Sequence, residues 1–495
     1  MHAQQRPSDD LIDTIIVGAG LSGICAAWHL RDKLPDERLE ILEARQDLGG
    51  TWDLFRYPGV RSDSDMSTLG YGFRPWVGEK AIADGPSIRQ YIRETAVESG
   101  IMPLIKFGHR LMSADWHTDD QCWVLQVAAE DTTIVKRCRF LLLCSGYYRY
   151  DAGYTPALPE LEQFAGRVVH PQQWPRDLEV SGKRIAIIGS GATAVTLLPA
   201  LVAQGATVTQ IQRTPTYIAE LPARDRIADA LHRLLPHRVA HWLVRWKNIL
   251  YAMLIFQASR RFPGKVKQNV LDHIQAELGD TLDVNKHFAP PYNPWDQRLC
   301  IAPDGDFFAA LKSGHASIET DTITGFSSTS VKLATGAQVD ADVVITATGL
   351  EMQVAGGAKI SIDGEPLAVN ELVTYKGAML SGVPNLAITM GYTNASWTLK
   401  CELIAKWVAR LRRHMAKQGF SVVVAEYTDK HERMRPLIDL SSGYIRRAAG
   451  ALPRQSDARP WTVNQNYFLD LAEFQWGGLK DDALRFARPP RQSST

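Results

Sequence analysis

Runs rich in β-branched and aliphatic residues alternate along this chain with stretches of helical periodicity, and glycines mark two of the junctions in the same way. Leu11 to Val17 is a strand-length run that ends in Gly18-Ala19-Gly20-Leu21-Ser22-Gly23, after which Ile24 to Arg31 turns helical. This pattern predicts strand, tight turn and helix. Arg184 to Pro199 repeats it 171 residues later, with Gly189, Gly191 and Ala194 at the same spacing. A second apolar strand follows each turn, Leu39 to Leu42 before Glu43 and Val208 to Ile211 before Gln212 and Arg213. Two further buried-strand signals, Phe140 to Gly146 and Asp342 to Gly349, end in a small residue and a glycine, which lets backbone approach a ligand or a glycine turn.

The remaining pattern sets the organisation. Glu220 to Asp296 is rich in Arg, Leu, His and Trp without clear strands and reads as a helical insertion, and Trp397 to Met415 has apolar residues at helical spacing. The predicted fold is α/β, with two Rossmann-like dinucleotide-binding domains and a helical insertion in the second. The expected boundaries are a leader at 1–10, a first domain at 11–150 and 376–487, a second at 151–219 and 297–375, the insertion at 220–296 and a tail at 488–495.

Composition narrows the class. The 495 residues are 45% hydrophobic and 22% charged, enough for two to four domains. The 55 Lys and Arg balance 54 Asp and Glu, so nothing attracts nucleic acid. Six cysteines without a CxxC pair argue against zinc and against a redox dithiol, and point to a reducing, cytoplasmic compartment. The first ten residues lack a signal sequence, and the apolar stretch from His241 to Phe256 is broken by Arg245, Lys247 and Asn248, so no transmembrane anchor is expected. The basic, aromatic segment from Arg238 to Lys267 reads as a helix with a solvated basic face, with weak peripheral contact with a membrane as the alternative.

The chemistry lies in the two turns. In the first, Gly18 permits the bend, Gly20 clears the way for a pyrophosphate and Gly23 lets the helix pack on the strand. Glu43 can accept both hydroxyls of an unphosphorylated ribose such as that of FAD or NAD, and against the second turn's reading FAD is assigned here. In the second, Arg213 suits a 2′-phosphate where a carboxylate would repel it, which assigns NADPH. The plainer alternatives are a surface glutamate and a solvated arginine. A flavin with a reduced nicotinamide can pass electrons to a disulfide, to a partner or quinone, or to oxygen, and spacing alone leaves the last two open.

Two longer motifs go further. Phe164 to Trp174 fits FxGxxxHxxxW, and Gly49-Gly50-Thr51-Trp52 with Tyr57-Pro58-Gly59 and Asp63 fits GGxWxxxx(F/Y)PGxxxD. Together they resemble the Baeyer–Villiger monooxygenases and their flavin-containing monooxygenase relatives, over about Asp13 to Ala487. Residues 49–66, 292–300 and 391–400 are similar to one branch of that family. The resemblance implies that Arg298 stabilises a flavin peroxide, with Asp63 as its orienting carboxylate, and that Gln297 replaces a lysine common in the family. It further implies FAD contacts at Ser22, Thr51, Trp52, Asp53, Asp63 and Leu111, and NADP contacts at Arg61, Ser190, Ala192, Thr193 and Thr214 beside the glycines. Phe164, Gly166, His170 and Trp174 become a hinge, and Trp397 a substrate-side residue. The implied reaction consumes O2 and NADPH to turn ketones into esters, with oxygenation of sulfides or thioamides such as ethionamide as a second activity. The alternatives are an N- or S-monooxygenase without ketone activity and an electron-transfer reductase.

Overall fold

The computed structural model describes residues 11–297, 299–428, 433–438, 442–479 and 481–489. The expected leader and most of the tail lie outside them. Leu11–Val17 runs between two parallel neighbours, with Ile16 opposite Ile41 of Leu39–Glu43 and Leu142 of Thr132–Leu143. A strand covered on both faces needs apolar residues at successive positions, which is why Ile15 and Ile16 are both fully buried. His109–His117, Cys122–Ala129 and Thr132–Leu143 form an antiparallel meander beside it, and with Ile105–Phe107 and five short strands from 359–388 the sheet has eleven strands among the described residues.

The second sheet has five parallel strands in the order Ala316–Thr320, Thr207–Gln212, Arg184–Ile188, Val343–Thr346, Arg167–Val169. The chain rejoins the first sheet ahead of residue 376. Lys359–Ile362 pairs with His109–His117 and buries Ile360 in the same core as Trp116, covering an edge of the meander that would otherwise be open.

Between the sheets' segments lie four helices, Arg226–Leu234, His237–Arg261, Pro263–Leu278 and Val284–Phe288. Pro263 opens the third, where a missing N–H costs nothing. Ile249 and Met253 pack into the core of the first sheet, while Leu271, Ile274 and Leu278 pack into that of the second, so the insertion spans the seam. Trp397–Gln418 forms where expected and lies against Leu21–Lys33, ending at Gly419 in the left-handed conformation (φ 68°). Among the described residues no helix is long and apolar enough to cross a membrane, and all six cysteines are free and buried.

Candidate functional site

The first turn is closed by contact. Gly18 (φ 103°) brings the backbone so near the next strand end that a Cβ would stand 2.6 Å from the Cys144 carbonyl oxygen, and a Cβ on Gly23 would stand 1.8 Å from the Gly18 oxygen. Gly20 caps the helix Leu21–Lys33 with no side-chain hydrogen bond and no acid in its first turn, leaving the leading amides available to an anion. Glu43, 4% exposed, accepts hydrogen bonds from the amides of Ala19 (2.8 Å) and Arg45 (2.9 Å). Burial raises its pKa above the ordinary carboxylate value, and those two amides act against the rise.

These groups open on a cleft of about 800 Å³, within the roughly 300–1,000 Å³ that small-molecule sites occupy. Gly18, Gly20, Ser22, Glu43, Thr51, Trp52, Asp53, Asp63 and Leu111 all line it, and of the residues expected at FAD only Gly23 stands back. Trp397 forms part of the wall, its indole N–H donating to the Ser22 hydroxyl (3.2 Å), which in turn donates to the Cys401 thiol (3.3 Å). A glycine cradle, uncapped helix amides, a buried carboxylate and this volume fit FAD.

Asp53 lines the cleft with its carboxylate already engaged. Its buried carboxylate is held by Arg45 (2.7 Å), Arg89 (3.1 Å) and Arg56. Sequence reasoning missed Arg45 and Arg56, both on the cleft, although a basic residue two places after Glu43 was a usable signal. It also missed Tyr147 and Tyr150. Tyr147 lies 4.8 Å from the Trp397 ring, and burial followed by the Glu43 charge raises the Tyr150 pKa.

The second turn is open. Gly189 (φ 139°) approaches its strand end as Gly18 does, with a Cβ position 2.3 Å from the Ala347 oxygen, but a Cβ on Gly191 would meet nothing within 4 Å. Gly191 caps Ala192–Ala203 without a side-chain bond, and Ala194 is buried beneath. The Ser190 hydroxyl donates to the Thr214 carbonyl (2.8 Å), drawing the turn to the strand end where Arg213 is exposed. Gln212 is instead buried and donates to His287 O (2.8 Å) and Thr320 Oγ1 (3.0 Å). An uncapped helix beside an exposed arginine fits a phosphorylated dinucleotide.

The motif from Tyr57 to Asp63 joins the two. Gly59 (φ 75°) sits against the second unit's helix, where a Cβ would meet Thr196 O at 2.8 Å. Burial raises the Tyr57 phenol to a pKa of about 12 against its hydrogen bond with Thr193, and the Asp63 charge adds to the rise. Arg61, on the cleft, pairs with Asp306 and donates to Ile301 O (3.3 Å).

The FxGxxxHxxxW stretch is a packed connection. Phe164 is buried beside Phe326, and a Cβ on Gly166 would meet Asp342 O at 2.5 Å. His170 accepts from the Gln172 amide (3.2 Å), its pKa lowered by burial, and its ring occupies the space a Gly153 side chain would need. Trp174 packs on the second core. Arg298 lies outside the described residues. The loop just before it is held by the insertion, with Trp295 5.6 Å from the Phe256 ring and Asp296 paired to Arg260 (2.8 Å). No group of three or more His, Cys, Asp or Glu able to hold a metal occurs among the described residues.

Two nucleotide-type turns, one opening on the cleft and one open to solvent, define the class, and sequence comparison agrees. A model described as NAD(P)-binding Rossmann-like domain matches residues 16–79, and one described as flavin-binding monooxygenase-like matches residues 82–273. The chain is 48% identical over 480 residues to the FAD-containing monooxygenase EthA of Mycobacterium tuberculosis, covering 97% of this chain and 98% of that one. It therefore belongs to the EthA-like flavin-binding monooxygenases. Its fold is shared with the structure of OTEMO in complex with FAD and NADP (TM-score 0.74, 18% identity, 98% of this chain and 100% of that one). It is shared equally with oxidised steroid monooxygenase bound to NADP (TM-score 0.74, 19% identity, 97% and 100%).

Proposed function

We propose that this protein is an NADPH-consuming, FAD-dependent monooxygenase of the Baeyer–Villiger type. Ketone, O2, NADPH and a proton give ester, water and NADP⁺, with sulfides and thioamides as further substrates. The observation that carries this reading is the Tyr57 to Asp63 motif, which lines the cleft of the first turn while resting on the helix of the second. EthA's printed name and the FAD and NADP in the OTEMO complex support the same cofactors.

The first turn's amides and Glu43 would hold the FAD pyrophosphate and ribose, and Arg213, Ser190 and Thr214 the NADPH end. The chemistry that bound FAD supplies is acceptance of hydride from NADPH followed by activation of O2. The family pattern gives Arg298 the role of a fixed charge that would stabilise negative charge developing on oxygen, with Asp63, on the cleft, as its carboxylate. Trp397 and Tyr147 shape the substrate side and exclude water. His170 and Trp174 couple movement of the second unit to the cleft. Six free thiols support a reducing, cytoplasmic setting.

The test uses a methyl ketone, NADPH and ¹⁸O2. One labelled oxygen in the ester, formed in step with NADPH loss, is expected. NADPH loss that yields only hydrogen peroxide with ketones, sulfides and thioamides alike would overturn the reading.

A further inference from the structure

Helix His237–Arg261 presents two unlike faces. One carries Ala240, Val244, Ile249 and Met253 inward, together with Arg245, which is bound by Glu402 and by the carbonyls of Ser67 and Gly70, all at 2.8 Å. The other is apolar and bare. Trp242 is 58% exposed, Leu250 46% and Leu254 67%, and at 3.6 residues per turn Val239, Leu250 and Leu254 share one stripe. Phe468 and Leu469 extend it, since the Phe468 ring stacks on Trp246 (centroids 6.1 Å apart), and exposed Ile227 and Leu234 lie on the adjoining helix. Single exposed apolar residues are ordinary, whereas a contiguous patch of this kind is a contact surface.

The surroundings of the stripe are basic. Residues 224–267 carry ten Arg and Lys against two Asp in a chain of net charge +1, and Asp225 is already bound to Lys247. Among the described residues Arg226, Arg233, Arg238, Arg261 and Lys265 have no carboxylate partner, and Arg261 and Lys265 flank the exposed Phe262 ring at 5.5 and 5.8 Å. A stripe of aliphatic side chains bordered by Trp242, by Tyr251 (55% exposed) and by unpaired cations is complementary to acyl chains beneath anionic headgroups. Two copies placed face to face would set these cations against one another.

We propose that the outer face of His237–Arg261, with Phe468 and Leu469, docks on an anionic lipid bilayer and holds the protein at its surface without spanning it. The helix's inner side supports the cleft, because Asn248 donates to Asp65 (2.8 Å) at the start of the Met66–Leu69 turn and Leu69 lines the cleft. Docking would thus hold the cleft wall about one helix diameter, roughly 10 Å, from the bilayer. The inference rests on this surface alone and stands or falls apart from the reading of the cleft.

The test mixes the purified full-length flavoprotein with vesicles of phosphatidylcholine, alone or with phosphatidylglycerol, and sediments them. Pelleting with the anionic vesicles only, reversed by high salt, is expected. Arg238→Ala and Arg261→Ala should each weaken it about fivefold, and Leu254→Asp at least about tenfold. Val77→Asp, at an exposed apolar residue elsewhere, should leave it unchanged, and equal melting of the Leu254→Asp variant checks its fold. Failure to pellet with either lipid, or pelleting that ignores Leu254→Asp, would overturn the proposal. So would a concentration-dependent dimer dissolved by that substitution, which would assign the face to a second copy.

Discussion

The two glycine turns share spacing and first-glycine geometry, yet the first is closed and the second open. Gly20 stands with its Cβ position 3.5 Å from Gly50 and faces a deep cleft, while Gly191 faces open space. At the strand ends, Glu43 is buried and committed to two amides, whereas Arg213 is exposed. A walled site with its acceptor prearranged suits a cofactor that stays, because ordering costs are met in folding. An open turn with an exposed cation suits one that enters and leaves each cycle. One local motif thus serves retention or exchange according to what packs around it.

The largest expected effect separates the turns by packing. Gly23→Ala drives a methyl group into the Gly18 carbonyl, so a loss of about 3 kcal/mol or more is expected, seen as a lower melting temperature and flavin-poor protein. Gly191→Ala should leave melting within about 0.5 kcal/mol of wild type yet raise the KM for NADPH at least about tenfold by blocking the pyrophosphate. Equal behaviour of the two variants would break the comparison. Next in size is Arg61→Ala, which leaves Asp306 unpaired at the seam, costs about 2 kcal/mol and lowers the melting temperature. An unchanged melting curve would show that the seam does not depend on this pair.

A smaller effect tests exchange. Arg213→Ala removes an exposed side chain, so melting should not move, while the KM for NADPH rises about tenfold and that for NADH does not. Equal change with both cofactors would remove Arg213 from the 2′-phosphate.

Features dictated by neighbours in sequence were legible, and those made by distant contacts were not. Both turns, the paired strands and the helix from Trp397 follow from periodicity and glycine spacing, as do the positions of Glu43 and Arg213. The Arg89 contact to Asp53 spans 36 residues and leaves no local trace. Gly59 meeting Thr196 is likewise visible only in three dimensions. The early return at Lys359–Ile362 escaped because four residues carry too little alternation to register as a strand. Helices fill the expected insertion from Arg226 to Phe288, although Glu220 and Leu221 end a strand paired with Cys300–Pro303, and nothing in its periodicity says that Ile249 belongs to one core and Ile274 to the other.

The smallest effect sets acid against each turn. Glu43 has a higher pKa in the folded chain than in the unfolded one, because burial penalises its charge. The folded protein therefore holds this proton to higher pH, and the charged form costs stability near neutrality. That cost is relieved as pH falls through the raised value towards the ordinary carboxylate range, so this group makes the flavin-free protein more stable on mild acidification. Flavin retention should move the other way in the same window, since a protonated carboxyl is a poorer acceptor for ribose hydroxyls, by about 1 kcal/mol. Glu43→Gln should flatten both trends, read as flavin fluorescence released against pH and as melting of the flavin-free protein. No carboxylate ends the corresponding strand of the second turn, so the acid limb belongs to the closed site alone. An undiminished acid limb in the Glu43→Gln variant would take the ribose contact away from Glu43.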